Sequence, residues 1–309
     1  MGKGLVLIFH KEENSRLFEK IVLSLKNNYL IVSANQLEQL LIKGASTSNV
    51  CHITFDDGIQ SFYTVVFPVL KKHNIPASLF VSPRIISTGN NFWFQEIESY
   101  DDEVLKDILA EELYVSLEKL EGFSSQTIFK CLPISKIKKI IELYKQRANC
   151  GAKLPQNMTI EQLREIDASG LVAIGAHTIN HPILRNEDDE SCFKEIHQSI
   201  TDLAYLLGHP VSYFAYPNGR PELDFGEREM KYLKENNITM AFSTELDTLN
   251  KKNNLLSIPR MGFASMGLEP SNPIVKFRLN LGKRWIDIKS IGRPTEKEVR
   301  EKIKTLLAS

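Results

Sequence analysis

The 309-residue chain has no excess charge: 38 Lys and Arg balance 38 Asp and Glu. Bulk charge therefore gives no reason to expect nucleic acid as a partner. Cysteine is scarce. Cys51, Cys131, Cys150 and Cys192 are far apart and form no Cys-x-x-Cys pair, which reads as reduced core or near-surface thiols in a cytosolic chain. No stretch approaches the ~20 apolar residues of a membrane span, so no transmembrane segment is expected. The first apolar run, Leu5 to Phe9, is too short for a secretory signal and no small-residue cleavage site follows it. The expected location is cytoplasmic. Internal repeats and low-complexity segments are also absent. What remains is ordinary for a soluble globular protein, 42% hydrophobic and 25% charged. The length suits one large α/β domain or two small ones. Charge is uneven only near the end, where Lys276 to Lys304 holds ten Lys or Arg and four acids.

The densest chemical signal is Ile53-Thr54-Phe55-Asp56-Asp57-Gly58. A strand-favouring run, Val50 to Phe55, ends in two adjacent carboxylates and a glycine that permits a turn. Adjacent acids raise each other's pKa unless a cation or hydrogen-bond donors intervene. A divalent ion is the simplest remedy, one carboxylate binding it and the other staying free as a base. The plainer alternative is an Asp-Asp-Gly turn after a strand. A second apolar run, Leu171 to Ile174, leads into Gly175-Ala176-His177-Thr178-Ile179-Asn180-His181-Pro182. Histidines four apart can face one side of a helical turn and share a metal ion, although structural histidines give the same spacing. Together the two stretches offer Asp57, His177 and His181 as ligands with a position left for water, the pattern of a catalytic zinc site.

Strand-like runs alternate with helical periodicity. Leu5 to Phe9, Tyr29 to Val32, Val50 to Phe55, Ala77 to Val81, Leu171 to Ile174, Ser212 to Ala215, Thr239 to Phe242 and Leu256 to Ile258 read as strands. Between them, Asn14 to Lys26 reads as a helix with Leu17, Ile21, Val22 and Leu25 at helical spacing, and Ser61 to His73 as a helix in spite of Pro68. This alternation predicts βα units around a largely parallel sheet or barrel. From Asn90 to Asn157 the rhythm breaks into a helical insertion that opens on Phe92-Trp93-Phe94. Those aromatics suit either a cleft wall or an anchor for the insertion. Capping boxes start helices at Thr159/Gln162 and Thr295/Glu298.

Thr54-Phe55-Asp56-Asp57-Gly58 and His177-Thr178-Ile179-Asn180-His181 resemble the first two motifs of the polysaccharide deacetylases, the NodB-homology or carbohydrate esterase family 4 group. Phe214-Ala215-Tyr216-Pro217-Asn218-Gly219 resembles the third, without its leading arginine. The resemblance implies a distorted, seven-stranded (β/α) barrel over residues 1–265, with 90–157 inserted and 266–309 a basic helical tail packed on the barrel. It also implies a metal-dependent hydrolase. Asp57, His177 and His181 would hold Zn²⁺ or another divalent ion, and Asp56 would be the general base. A backbone N–H of the Tyr216-Pro217-Asn218 loop would face the oxyanion; Pro217 has none, so Asn218 is assigned. Thr178 would hold the histidine loop by hydrogen bonding.

Two departures from the family pattern stand out. Arg260, in Ile258-Pro259-Arg260, is the substitute for the missing arginine that tethers the base, or else a surface ion pair. No histidine follows His209, so the family's late general acid has no counterpart; His10 is the stand-in by position, or a structural histidine. The implied reaction removes the N-acetyl group of an acetamido sugar, a cytoplasmic intermediate or glycan of surface polysaccharide biosynthesis. A nucleotide- or lipid-linked carrier fits that location, with weak peripheral membrane contact through the basic tail. The alternatives are a deformylase or related amidase on an N-acyl amino sugar, and a non-catalytic metal-containing carbohydrate-binding protein.

Overall fold

The structure is a computed structural model and describes residues 3–151, 153–262 and 294–308. Its strands are β1 (Leu5–Phe9), β2 (Leu30–Ile31), β3 (Val50–Phe55), β4 (Ala77–Val81), β5 (Val172–Ala176), β6 (Tyr213–Ala215), β7 (Met240–Phe242) and β8 (Met261–Gly262). They pair in the order β7-β6-β5-β4-β3-β1-β8, with β2 added beside β3. The β1–β3 and β4–β5 ladders are parallel over five residues each. β1, β3 and β4 are buried along their whole length, as expected of unbroken apolar runs covered on both faces by helices. Ile258 bridges Phe242 of β7, while Met261 and Gly262 pair with Leu7 and Ile8 of β1. The stretch 258–262 therefore touches both ends of the strand path, and the sheet curls into a distorted (β/α) barrel.

Two local expectations are corrected. The last strand is Met261–Gly262, not Leu256 to Ile258, which makes only the single bridge. Pro259 follows Ile258 and has no N–H to continue a ladder. The helix over 61–73 begins with a wide π turn, Phe62–Val66, before the α-helix Phe67–His73. Pro68 lacks an N–H and crowds the preceding turn, and the wider turn relieves that conflict. In the first helix, Ser15–Asn28, Phe18 is buried while Leu17 is 40% exposed, a register that apolar spacing alone did not separate.

Between β4 and β5 lie the helices Trp93–Ile97, Asp102–Leu113, Leu117–Leu120, Ser125–Phe129 and Ile134–Ala148. They enclose a second core around Leu105, Ile108, Phe129, Ile137 and Ile140, separate from the barrel's. Ile303 of the C-terminal helix, Glu296–Ala308, belongs to that same cluster, and Val299, Leu306 and Leu307 pack against it. The stretch 263–293, which holds most of the expected basic tail, lies outside the described residues. No described helix is long and apolar enough to cross a membrane.

Candidate metal centre and catalytic cleft

The site is built where three strands end. After β3 the chain turns through Asp57 (φ +73°) and Gly58 (φ +67°). The left-handed φ favours glycine at 58, and a Cβ there would sit tightly against Val81 Cγ1 at 3.0 Å. The turn sends the two acids to different partners. Asp57 Oδ1 lies 3.6 Å from Nε2 of His177 and 3.6 Å from Nε2 of His181. Asp56 takes a bidentate fork from Arg260, Nη1 donating to Oδ1 at 2.7 Å and Nη2 to Oδ2 at 2.8 Å.

The histidines follow β5 in a loop, which corrects the expectation of a helical turn. Thr178 (φ +61°) and His181 (φ +57°) adopt left-handed backbone, so the two imidazoles converge by loop geometry rather than helical spacing. Thr178 Oγ1 donates to His177 O at 2.6 Å and accepts from His181 N at 3.1 Å. Glu195, on the helix Asp189–Leu207, accepts from Ile179 N at 3.0 Å and Asn180 N at 2.9 Å. His177 Nδ1 donates to Ala215 O at 2.7 Å, which leaves its Nε2 lone pair facing Asp57. Trp93 Nε1 donates to His181 O at 2.9 Å, and Phe94 stands edge-on to the His181 ring at 4.9 Å. The aromatic triplet of the insertion thus does both expected jobs. Trp93 packs in the insertion core, and Trp93 and Phe94 also wall the cleft.

Burial and neighbouring charge push the acids apart. Burial would raise the Asp56 carboxyl, but the Arg260 charge and hydrogen bonds, with smaller contributions from His177 and His10, together outweigh it and hold Asp56 at about 2. Burial and then the Asp56 charge push Asp57 up to about 8. Burial lowers both histidines, which keeps their imidazoles neutral. Asp57 Oδ1 is buried and accepts no hydrogen bond from any described residue. The donor atoms of Asp57, His177 and His181 all lie within 4.8 Å of one another. A divalent cation fits this set: it would satisfy the orphaned oxygen, and one carboxylate with two imidazoles suits Zn²⁺ and neighbouring first-row ions.

A pH dependence follows. With Asp57 at about 8, the metal-free fold holds a proton that the unfolded chain releases above its ordinary pKa of ~3.9. The folded pKa is raised, so metal-free stability falls as pH climbs from about 4 to about 8, and an ion that favours the carboxylate removes the fall. Melting of chelator-treated and zinc-loaded protein checks this. The gain in Tm on adding zinc is expected to be larger at pH 8 than at pH 5, and equal gains would contradict it.

Asp56, Asp57, His177, His181 and Arg260 line one cleft of about 490 Å³. His10 lines it too, beside Asp56, whose N–H donates to Phe9 O at 3.2 Å. Arg260 is fully buried and so is no surface ion pair; its Nε also donates to Ser243 O at 2.9 Å. Asn218 (φ +60°) reaches the cleft, and its N–H donates to no described residue. Tyr216 and Pro217 are not among the cleft's lining residues. The Tyr216 ring stacks on Phe225 at 3.6 Å and its hydroxyl donates to Leu256 O at 2.8 Å, so it supports the loop from the core side. Sequence reasoning missed Glu195, the Ser243-Thr244 pair after β7, and Lys130, Arg220 and Glu296 on the cleft wall. Only Glu195 had a local signal, as an acid on the long helix, and that signal is indistinguishable from a solvated face.

A family model described as polysaccharide deacetylase matches residues 43–121 and 122–241. Among solved structures, the Streptococcus pyogenes deacetylase PplD in complex with acetate gives a TM-score of 0.58 at 18% identity, covering 90% of this chain and 98% of that one. IcaB from Ammonifex degensii gives 0.57 at 19% identity, covering 98% of each chain. The deacetylase domain of BpsB from Bordetella bronchiseptica gives 0.54 at 16%, covering 84% of this chain and 95% of that one. These likenesses speak to the fold. No curated protein matches the sequence.

Proposed function

The chain belongs to the polysaccharide deacetylase family, and from that premise we propose that it hydrolyses the N-acetyl groups of a glycan with the help of one divalent ion. The observation that carries this reading is the orphaned Asp57 Oδ1 between two neutral imidazoles, beside a second acid held apart by Arg260. Zn²⁺ or another divalent ion held by Asp57, His177 and His181 would supply Lewis acidity toward the amide carbonyl and acidify water. Asp56 is ionised at neutral pH, and its Oδ2 stands 4.0 Å from His177 Nε2, within reach of a water in the cleft. It takes that water's proton. The fork that aims Asp56 also makes it a weak base, so the proton is passed on rather than kept. His10, beside Asp56 at the neighbouring strand end, is the candidate for carrying it to the leaving amine. The Asn218 N–H is the candidate oxyanion donor.

The cleft favours an oligomeric substrate. Phe94 and Gln126 line both this cleft and a second cavity of about 520 Å³ walled by the insertion. Gln126 and Gln156 make no side-chain hydrogen bonds to described residues, which leaves amides for sugar hydroxyls. A cytoplasmic setting and a nucleotide- or lipid-linked carrier remain part of the proposal, supported by the four scattered cysteines and by the basic stretch from Lys276 to Lys304. Acetate release by metal-loaded protein from N-acetylglucosamine oligomers tests the reading. kcat/KM is expected to rise by about tenfold or more from monomer to tetramer, the gain of ~1.4 kcal/mol in added contacts. Formate release from N-formyl sugars alone would favour the amidase alternative. Binding of oligomers without hydrolysis would favour a carbohydrate-binding protein.

A further inference from the structure

The C-terminal helix Glu296–Ala308 lies beyond the family-matched residues 43–241, yet it reaches the cleft. Glu296 is on the cleft wall, where Lys130 Nζ lies 3.3 Å and Arg220 Nη2 3.0 Å from its two oxygens. One turn later, Arg300 is fully buried. Its Nη1 donates to Asp224 Oδ1 at 2.5 Å and its Nη2 to Lys130 O at 3.0 Å. The other oxygen of Asp224 faces the catalytic loop. Oδ2 accepts from Asn218 Nδ2 at 3.0 Å and from Arg220 N at 2.8 Å. Thr244 holds the same turn from the β7 side, its Oγ1 donating to Asn218 O at 2.6 Å.

We infer that Arg300 is a positioning residue: through Asp224 it fixes the left-handed Asn218 turn, and so makes the C-terminal helix part of the active site. The two carboxylate oxygens divide the labour, one facing the helix and one the loop. The Arg300 guanidinium on Oδ1 fixes the rotation of the carboxyl, which keeps Oδ2 aimed at both N–H groups. Without Arg300, no described residue donates to Oδ1, so the carboxyl is free to turn and its hold on Asn218 and Arg220 slackens. Asn218 (φ +60°) and Gly219 (φ +75°) are residue types that tolerate left-handed backbone without enforcing it, so the shape of the turn depends on what holds it. As a source of net stability a buried ion pair is poor, so the pair's value lies in where it holds the loop.

The kinetic arm of the test rests on the hydrolase reading; the exchange arm does not. In full-length Arg300→Met protein, hydrogen exchange of segment 216–224 is expected to accelerate by about tenfold or more, while β3 and β5 keep their protection. Divalent-ion stoichiometry and affinity stay as in the wild type. kcat on acetylated oligomers falls by about 30-fold or more with KM within about threefold, somewhat less than the ~10²–10³ lost with a whole oxyanion donor. Arg300→Lys, which keeps a cation, recovers part of both effects. Should Arg300→Met not fold, the double variant Arg300→Met/Asp224→Asn removes the buried charges together and is held to the same expectations. A folded variant with wild-type exchange over 216–224, or with kcat within about twofold of wild type, overturns the inference. If the wild type releases acetate from no glycan, the hydrolase reading fails and the exchange result alone decides the brace.

Discussion

Asp56→Asn is expected to lower kcat by about 10³-fold, inside the ~10²–10⁴ range of a lost general base, while the protein still binds one divalent ion. The expectation follows from the separation of the two acids. Asp56 is outside the group of three donor residues, and its oxygens are taken by Arg260. An amide fills the same space but cannot accept water's proton. His177→Ala and His181→Ala each delete one of three converging donor atoms, so both should lose the ion along with activity. Metal content by atomic spectroscopy, measured beside acetate release, separates the outcomes. Equal metal loss in all three variants would refute the division of labour between Asp56 and Asp57.

How much of this was legible in sequence depends on how local each cause is. β1, β3 and β4 were readable because strands buried on both faces are unbroken apolar runs with hard ends, such as Asp56 and Ser82. The acid pair, the histidine pair and Asn218 were readable because each is a short motif at a strand end. The closing strand was misplaced because β8 has two residues and its pairing with β1 is set by the curl of the whole sheet, not by its own composition. Arg260 carried two readings in sequence because nothing local tells a buried arginine from an exposed one. Its burial depends on Phe80 and Phe242, whose rings flank the guanidinium at 5.7 and 5.9 Å from distant strands. Glu195 and Arg300 could not be singled out for a related reason: each acts on a loop outside its own helix, 15 residues back for Glu195 and 76 for Arg300. Tyr216 was placed in the site by motif, but a side chain's facing at a strand end depends on its neighbours, and Phe225 claims it for the core.

Arg260→Met is expected to destabilise the metal-loaded protein by about 3–5 kcal/mol, the usual cost of stranding one partner of a buried ion pair. Arg260 is fully buried and Asp56 nearly so. The guanidinium also donates to Ser243 O at 2.9 Å and Thr54 Oγ1 at 3.3 Å, so methionine leaves two more acceptors unpaired. The pH profile distinguishes this cause from simple loss of packing. In the wild type, Asp56 at about 2 lies below the ordinary carboxyl value of ~3.9. Its folded pKa is depressed, so its stabilising contribution is present above pH ~4 and is lost as pH falls toward about 2. Without Arg260, the largest opposition to burial is gone, only the smaller pulls of His177 and His10 remain, and the Asp56 pKa rises above the ordinary value. The sign then reverses, and the variant loses stability as pH rises above about 4. Zinc-loaded samples keep Asp57 ionised, so the change of slope in urea unfolding between about pH 4 and pH 8 reports Asp56 rather than its neighbour. A variant with the wild-type slope and a uniform loss would mean that Arg260 matters for packing alone. Activity should fall in parallel, because a carboxylate that has lost its fork is no longer aimed at the water it must deprotonate.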